Sequence, residues 1–306
     1  MDRPTVSVVM PTNRRSKYLV EAIASVRAQS FPATEIILVD DGSPEPGLNG
    51  IAGELGVTYI RQPARGISAA RNAGIAAAQS EWIAFLDDDD VWHPERLSAQ
   101  LAALEARRDA IASYTGGWYM DAEGRRFGEG WRAPHTTSMA MIRGEVPFPR
   151  ITTVLVRRAT AIATGGFRTD YEPTEDNEWM LRLLALGEFA AVDQPLVGYR
   201  RHAANLTNKG FEGRRRSLQM VRLHRDLASR RHDVALASAL TANLARSRSR
   251  AAEDCLDDLR AALTTGDLVA ATRVGLWSLG TMPRETVAAL TARIRRRLGP
   301  LDGGAR

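Results

Sequence analysis

The sequence predicts an α/β fold: a mostly parallel sheet with helices on both faces, followed by a C-terminal α-helical extension. Three observations carry that expectation. Over the first 110 residues, short β-branched runs alternate with stretches of helical spacing. The runs are apolar almost throughout, as strands covered on two faces are, rather than alternating as half-exposed strands do. From Phe211 onward the pattern is helical and dominated by Ala and Arg.

The elements follow in order. Val6-Ser7-Val8-Val9-Met10 reads as the first strand, broken by Pro11-Thr12. Residues 18–28 place Tyr18, Leu19, Ala22, Ile23 and Val26 at helical spacing. Ile36-Ile37-Leu38-Val39 is a buried type of strand running into the turn cluster Asp40-Asp41-Gly42-Ser43. Residues 57–60 form a third short strand, and residues 66–78 a helix with Ser68 near its start. Trp82-Ile83-Ala84-Phe85-Leu86 is a fourth strand that meets four aspartates, Asp87 to Asp90. Pro94 suits a first helical turn and opens a helix to about Ala106. Residues 110–149 are expected to be irregular, being rich in Gly, Trp and Tyr. Residues 152–156 resume as a strand, residues 175–186 as a helix with Trp179, Leu183 and Leu186 on one face. Residues 189–192 and 197–200 read as two late strands, and Gly303-Gly304 as a frayed end.

Composition narrows the function classes. The 306 residues suffice for one sizeable domain and an appendage. Residues 1–5 are polar and residues 6–10 are too short for a signal core, and no run approaches the roughly 18 apolar residues of a membrane span. One cysteine, Cys255, excludes an intrachain disulfide framework and a Cys zinc cluster, which fits a reducing cytoplasm. The net charge of +5 is uneven: residues 209–306 hold about 19 basic and 10 acidic side chains, the rest about 22 and 26. A basic extension over 209–306 is therefore set apart from an acidic domain over 1–208. No zinc-finger, RNP-like or helix-turn-helix signature supports nucleic acid as its partner. An anionic membrane surface is the better candidate. Residues 284–298 place Val287, Leu290, Ile294 and Leu298 on one face, with Arg293, Arg295, Arg296 and Arg297 toward the end. That reads as a helix lying on a membrane, or, with more weight, as a packed helix whose cations favour its C-terminus.

Ligands of open parallel sheets bind beyond the carboxyl ends of the strands. Here those ends carry Pro11-Thr12-Asn13-Arg14, Asp40-Asp41 and Asp87 to Asp90. Six aspartates at one edge repel one another unless a cation or hydrogen-bond donors neutralise them. Oxygen ligands suit Mg²⁺ or Mn²⁺ bridging carboxylates and a substrate phosphate. Solvated turn aspartates are the plainer reading, preferred for Asp40-Asp41 taken alone; the metal is preferred for the run of four. Glu175 and Asp176 precede a helix, where acidic residues act as caps, and a cap is the first reading of Asp176 from the residues alone. Trp179 reads as core. Trp118, Tyr119 and Trp131 read as core before they read as a platform for an acceptor sugar.

Val6-to-Thr12, Val39-Asp-Asp-Gly-Ser43, Ser68-Ala-Ala-Arg-Asn-Ala-Gly-Ile75 and Phe85-Leu-Asp-Asp-Asp-Asp-Val-Trp-His-Pro94 occur in one order at close spacing. Together they resemble the nucleotide-binding half of glycosyltransferase family 2, which has the GT-A fold. Gly165-Gly-Phe167, Thr174-Glu-Asp176 and Tyr199-Arg-Arg-His202 resemble that family's later motifs. The resemblance implies a nucleotide-binding half over 1–110 and an acceptor and catalytic half over 111–208. It implies an inverting, metal-dependent transfer from a nucleotide diphosphate sugar, a UDP-sugar in the first place, to an acceptor hydroxyl in polysaccharide or glycoconjugate synthesis. Pro11, Thr12, Asp40 and Arg71 would then contact the nucleoside, and Asp87 and Asp88 the donor. Asp89, the last of an Asp-x-Asp triplet, would coordinate Mn²⁺ or Mg²⁺, with His202 near the metal, and Asp176 would be the catalytic base. The sugar or lipid-linked acceptor would be met in the cytoplasm, or at the inner face of the membrane. Asn13 and Arg14 depart from the aromatic residue and Asn that often follow Pro-Thr in the family. A nucleotidyltransferase and a non-catalytic nucleotide-sugar-binding protein are the alternatives.

Overall fold

The computed structural model describes residues 3–202 and 210–298. The chain divides into two compact units, one of residues 1–142 and 146–208, the other of residues 143–145 and 209–306. The boundary expected at 208/209, and Gly303-Gly304, lie outside the described residues.

The first unit is built on one mixed sheet. Strands β1 (Val6–Thr12), β2 (Glu35–Asp41), β3 (Thr58–Gln62) and β4 (Trp82–Phe85) pair in parallel in the order β3-β2-β1-β4. Beyond β4 the sheet continues through β8 (Val154–Arg157), β6 (Ala112–Met120), β9 (Phe189–Arg200) and the two-residue β5 (Val91–Trp92). Here β8 is antiparallel to both its neighbours, while β6 and β9 run parallel. Every residue of β1 is buried, as a central parallel strand requires. Helix α1 (Leu19–Arg27) packs Leu19, Ala22, Ile23 and Val26 inward against Val6, Val8 and Met10 of the same core.

Several elements differ from expectation, each for a local reason. Pro11 and Thr12 do not break β1; they pair with Val39 and Asp40 of β2. Helix α2 (Leu48–Glu54) contains Gly50 and Gly53, so its propensity hid it. Helix α3 (Ile67–Ala77) follows expectation, whereas α4 (Arg96–Ala106) begins two residues beyond Pro94. The stretch expected to be irregular contains the nine-residue β6, the strand β7 (Arg126–Trp131) that pairs with it, and the short helix α5 (Ser138–Ile142). Gly116 and Gly117 lie inside β6, where the Trp131 ring and neighbouring backbone fill the space a side chain would take. The two late strands are one, β9, because a register shift opposite Gly116 absorbs Pro195. Helix α6 (Arg158–Ala163) was not foreseen; α7 (Glu175–Leu184) was, but Leu186 lies beyond it and is 59% exposed. Trp179 is core, edge-on to Phe85 at 5.5 Å and 4.2 Å from Phe167.

The second unit is helical: α8 (Gly210–Arg230), α9 (Val234–Thr265), α10 (Leu268–Thr281) and α11 (Pro283–Leu298). Asp233 caps α9 and Asp267 caps α10, each accepting from a backbone N–H three residues on. Gly266 closes α9 at φ +77°, a left-handed position that suits glycine. Buried Leu240, Leu244, Ala251, Ala252 and Cys255 line α9, with Ala271 and Val274 on α10. In α11, Thr286 and Ala289 are buried, while Val287, Leu290 and Ile294 are 57%, 49% and 50% exposed. The helix packs through Thr286, which meets Ser278 of α10, and Arg293, which pairs with Asp257 of α9, while the apolar face of Val287, Leu290 and Ile294 is turned outward. No helix among the described residues is long and apolar enough to cross a membrane.

Candidate functional site

Because β1, β2 and β4 are parallel, Thr12, Asp40-Asp41 and the turn after Phe85 emerge at one edge of the sheet. Leu86 ends the apolar run, and Asp90 N–H closes the aspartate turn on the Asp87 carbonyl at 3.2 Å. Helix α3 brings Arg71 to the same place, and α7 brings Glu175 and Asp176.

Arg71 is the hub. It is buried, donates from one terminal nitrogen to Asp176 Oδ1 at 2.8 Å and Glu175 Oε1 at 3.3 Å, and from the other to Asp87 Oδ1 at 3.1 Å. Burial works against its charge, but the carboxylates of Asp176, Asp87 and Glu175 outweigh that and raise its pKa further. Burial and then the Asp176 charge push Glu175 up to about 9, against the pull of the Arg71 charge. Asp176 remains 38% exposed at its side chain, open to an incoming group.

The four consecutive aspartates have four different surroundings. Asp87 is raised by burial and drawn back by Arg71. Asp88 is pushed up to about 7 by burial, which the hydrogen bond with Thr12 opposes. Thr12 Oγ1 lies 2.6 Å from Asp88 Oδ2 and 2.8 Å from the Arg14 carbonyl. A hydroxyl has one proton, so Thr12 donates to one of these acceptors at a time, and its bond to Asp88 Oδ2 stabilises the carboxylate form. Asp89 meets His202 Nε2 at 2.8 Å across 113 residues of sequence. Asp90 is sealed in the interior, accepts from Arg200 N at 3.0 Å and is raised well above the usual range by burial.

Asp40 is enclosed rather than open. It accepts from Ser43 N and Oγ, from Tyr59 Oη at 2.6 Å and from Arg61. Burial alone would raise it; the Tyr59 and Ser43 hydrogen bonds and the Arg61 charge hold it below the usual range. Asp41 accepts from Gln62 and from the Arg65 and Gly66 backbone, so it ties the loop before α3. Pro11 is buried at the end of β1.

The structure thus gathers Arg71, Asp87 and Asp176 in one network, and pairs Thr12 with Asp88 and Asp89 with His202. Asp40 belongs to a separate network with Tyr59 and Arg61. Two contributors escaped the sequence reading. In the sequence Glu175 reads only as part of a cap. Arg200, fully buried, holds the aspartate turn by donating to the Asp89 carbonyl at 2.9 Å, and reaches Glu21 at 2.6 Å. Its signal was an arginine in step with Leu196 and Gly198 on the inward face of β9.

Among the described residues no three His, Cys, Asp or Glu side chains converge as a ready cage for a cation. Asp89 and His202 still fit one. Adjacent donors on an octahedral ion, each about 2.1 Å from it, lie roughly 3 Å apart; these two are 2.8 Å apart. Phosphate oxygens and water would complete the shell.

The model of the family described as Glycosyl transferase family 2 matches residues 7–163. The O-antigen biosynthesis protein RfbC of Myxococcus xanthus is 29% identical over 220 residues, 68% of this chain and 17% of RfbC. The putative teichuronic acid biosynthesis glycosyltransferase TuaG of Bacillus subtilis is 33% identical over 141 residues, 44% of this chain and 55% of TuaG. The chain therefore spans well under two thirds of the length of either relative. Among solved structures, S. aureus TarS 1–349 in complex with UDP-GlcNAc superposes with a TM-score of 0.61 at 20% identity, covering 80% of this chain and 74% of that one. That likeness shows a shared fold.

Proposed function

The chain belongs to glycosyltransferase family 2, and from that membership we propose that it moves a sugar from a nucleotide diphosphate sugar, UDP-linked in the first place, to an acceptor hydroxyl with inversion at the anomeric carbon. The observation that carries the proposal is the bridge made by Arg71, which joins Asp87 at the aspartate turn to Asp176 at the head of α7. Asp176 takes the proton of the acceptor hydroxyl as that oxygen bonds to the anomeric carbon and the bond to the diphosphate breaks. Arg71 fixes where Asp176 stands. Asp176 is the more exposed of the two carboxyl groups at the head of α7, Glu175 being buried, which supports one displacement over a double displacement needing a second carboxylate as nucleophile. Thr12, Asp87 and Asp88 line the donor side, and Pro11 and Asp40 shape the end of the sheet beside it. A divalent cation, Mn²⁺ or Mg²⁺, held by Asp89 and His202, would neutralise charge on the departing diphosphate.

The names of RfbC and TuaG support an acceptor in cell-envelope polysaccharide synthesis. The outward apolar stripe of α11, with exposed Arg284 and Arg296 on the same helix, supports meeting that acceptor at an anionic membrane surface.

A thermal-shift titration tests the donor half. UDP at about 100 times its Kd stabilises a protein by about 2.7 kcal/mol, and here the shift should require Mn²⁺ or Mg²⁺. An equal shift in excess chelator removes the metal from the reading; no shift with any nucleotide removes the donor.

A further inference from the structure

Trp118, Tyr119 and Trp131 sit beside Tyr199 where β6, β7 and β9 meet, and arginines occupy ring faces that a sugar would stack on. Arg126 lies 3.9 Å over Trp118, whose other surroundings include the backbone of Gly198. Arg150 lies 4.7 Å from the centre of Trp131, 4.8 Å from Tyr199 and 5.7 Å from Tyr119, and donates to Tyr119 Oη at 3.1 Å. Arg201 lies 4.3 Å over Tyr119. A ring face attracts a guanidinium without neutralising it. Arg126, Arg150 and Arg201 have no ion pair among the described residues, unlike Arg61, Arg71 and Arg200, each of which meets a carboxylate. The remaining guanidinium nitrogens of Arg150 are not sealed in the interior, as those of Arg96 are.

Thr152, two residues after Arg150, lies beside Asp90, and Arg200, next to Tyr199, donates to Asp90. A positive group held rigidly by rings, uncompensated and open, is built to receive an oxyanion. We propose that Arg150, seated on Tyr119, Trp131 and Tyr199 and flanked by Arg201, binds an oxyanion in the acceptor subsite, so that the acceptor saccharide is acidic, carrying a phosphate or a carboxylate. The placement in an acceptor subsite rests on the glycosyltransferase reading; the anion site itself stands on the arginines.

The test titrates the full chain, with UDP present to fill the donor side, with glucose 1-phosphate, glucuronate and methyl glucoside, followed by saturation-transfer NMR. At least one acidic probe should bind about tenfold or more tightly than the neutral one, as a charge-assisted hydrogen bond provides. The tighter acid tells phosphate from carboxylate. Arg150→Gln should erase the preference and Arg150→Lys retain part of it, while the UDP thermal shift stays as in the parent protein. Should Arg150→Gln fail to fold, Arg201→Gln, at an exposed side chain, carries the same test. Equal binding of acidic and neutral probes, or a preference untouched by the substitution, overturns the proposal. With the UDP shift intact, either result leaves the donor reading standing.

Discussion

Arg71 sits buried among three carboxyl groups, so its loss leaves buried charge without a partner, and a removed partner of that kind costs about 3–5 kcal/mol. The more informative substitutions keep Arg71 and change what it holds. Asp176→Asn is nearly isosteric but cannot accept a proton as a carboxylate does. Turnover should fall by roughly 10²–10⁴ while nucleotide binding is kept; measured sugar transfer near the parent rate would make Asp176 a helix cap and no more. Glu175 gives a pH signature. Its carboxyl is held at about 9 in the folded chain against an ordinary value of 4.5. The folded state thus binds more protons than the unfolded one between those values, and this contribution is complete below 4.5 and declines as pH rises toward 9. Glu175→Gln cannot ionise. Chemical denaturation from pH 5 to 9 should show a decline in the parent that flattens in the variant, by up to about 1.4 kcal/mol per pH unit. Parallel curves would place Glu175 in contact with water.

At the level of elements, β6 is the part that composition concealed. Gly weakens a strand pattern even beside strand-favouring Trp and Tyr, yet at Gly116 and Gly117 neighbours occupy the space of a side chain. A Cβ on Gly117 would meet the Trp131 ring and the Val197 carbonyl well inside van der Waals contact. Gly117→Ala should therefore cost about 1–3 kcal/mol, as overpacking does, and shift the tryptophan emission as Trp131 moves. A urea midpoint equal to the parent's would mean that β6 has room to spare. Helix α2 was concealed in the same way by its glycines, whereas β1, β2 and β4 were legible because strands covered on both faces must be apolar along their length.

For the whole molecule, the uneven charge and the outward stripe of α11 lead to a prediction about surfaces. Each Arg near an anionic bilayer contributes about 1 kcal/mol, screened by salt. Full-length protein should co-sediment with anionic vesicles more than with neutral ones, and less as ionic strength rises. The double substitution Leu290→Glu, Ile294→Glu changes two half-exposed side chains, so it should leave the fold intact and lower vesicle binding about tenfold or more. Binding that ignores both salt and the substitutions would take α11 out of the account.

The sequence by itself determined the parallel strands, helices α1 and α3 between them, the helical extension and the candidates Thr12, Arg71, Asp87, Asp88, Asp89 and Asp176, since local periodicity and ordered motifs are properties of neighbouring residues. Only the tertiary structure decided which of these meet. Arg71 lies 105 residues from Asp176 and Asp89 lies 113 from His202, and no local pattern records such distances. The four consecutive aspartates look alike in the chain. In the fold one faces an arginine, one a threonine, one a histidine and one the interior, because a carboxylate's character is set by how much water and charge surround it.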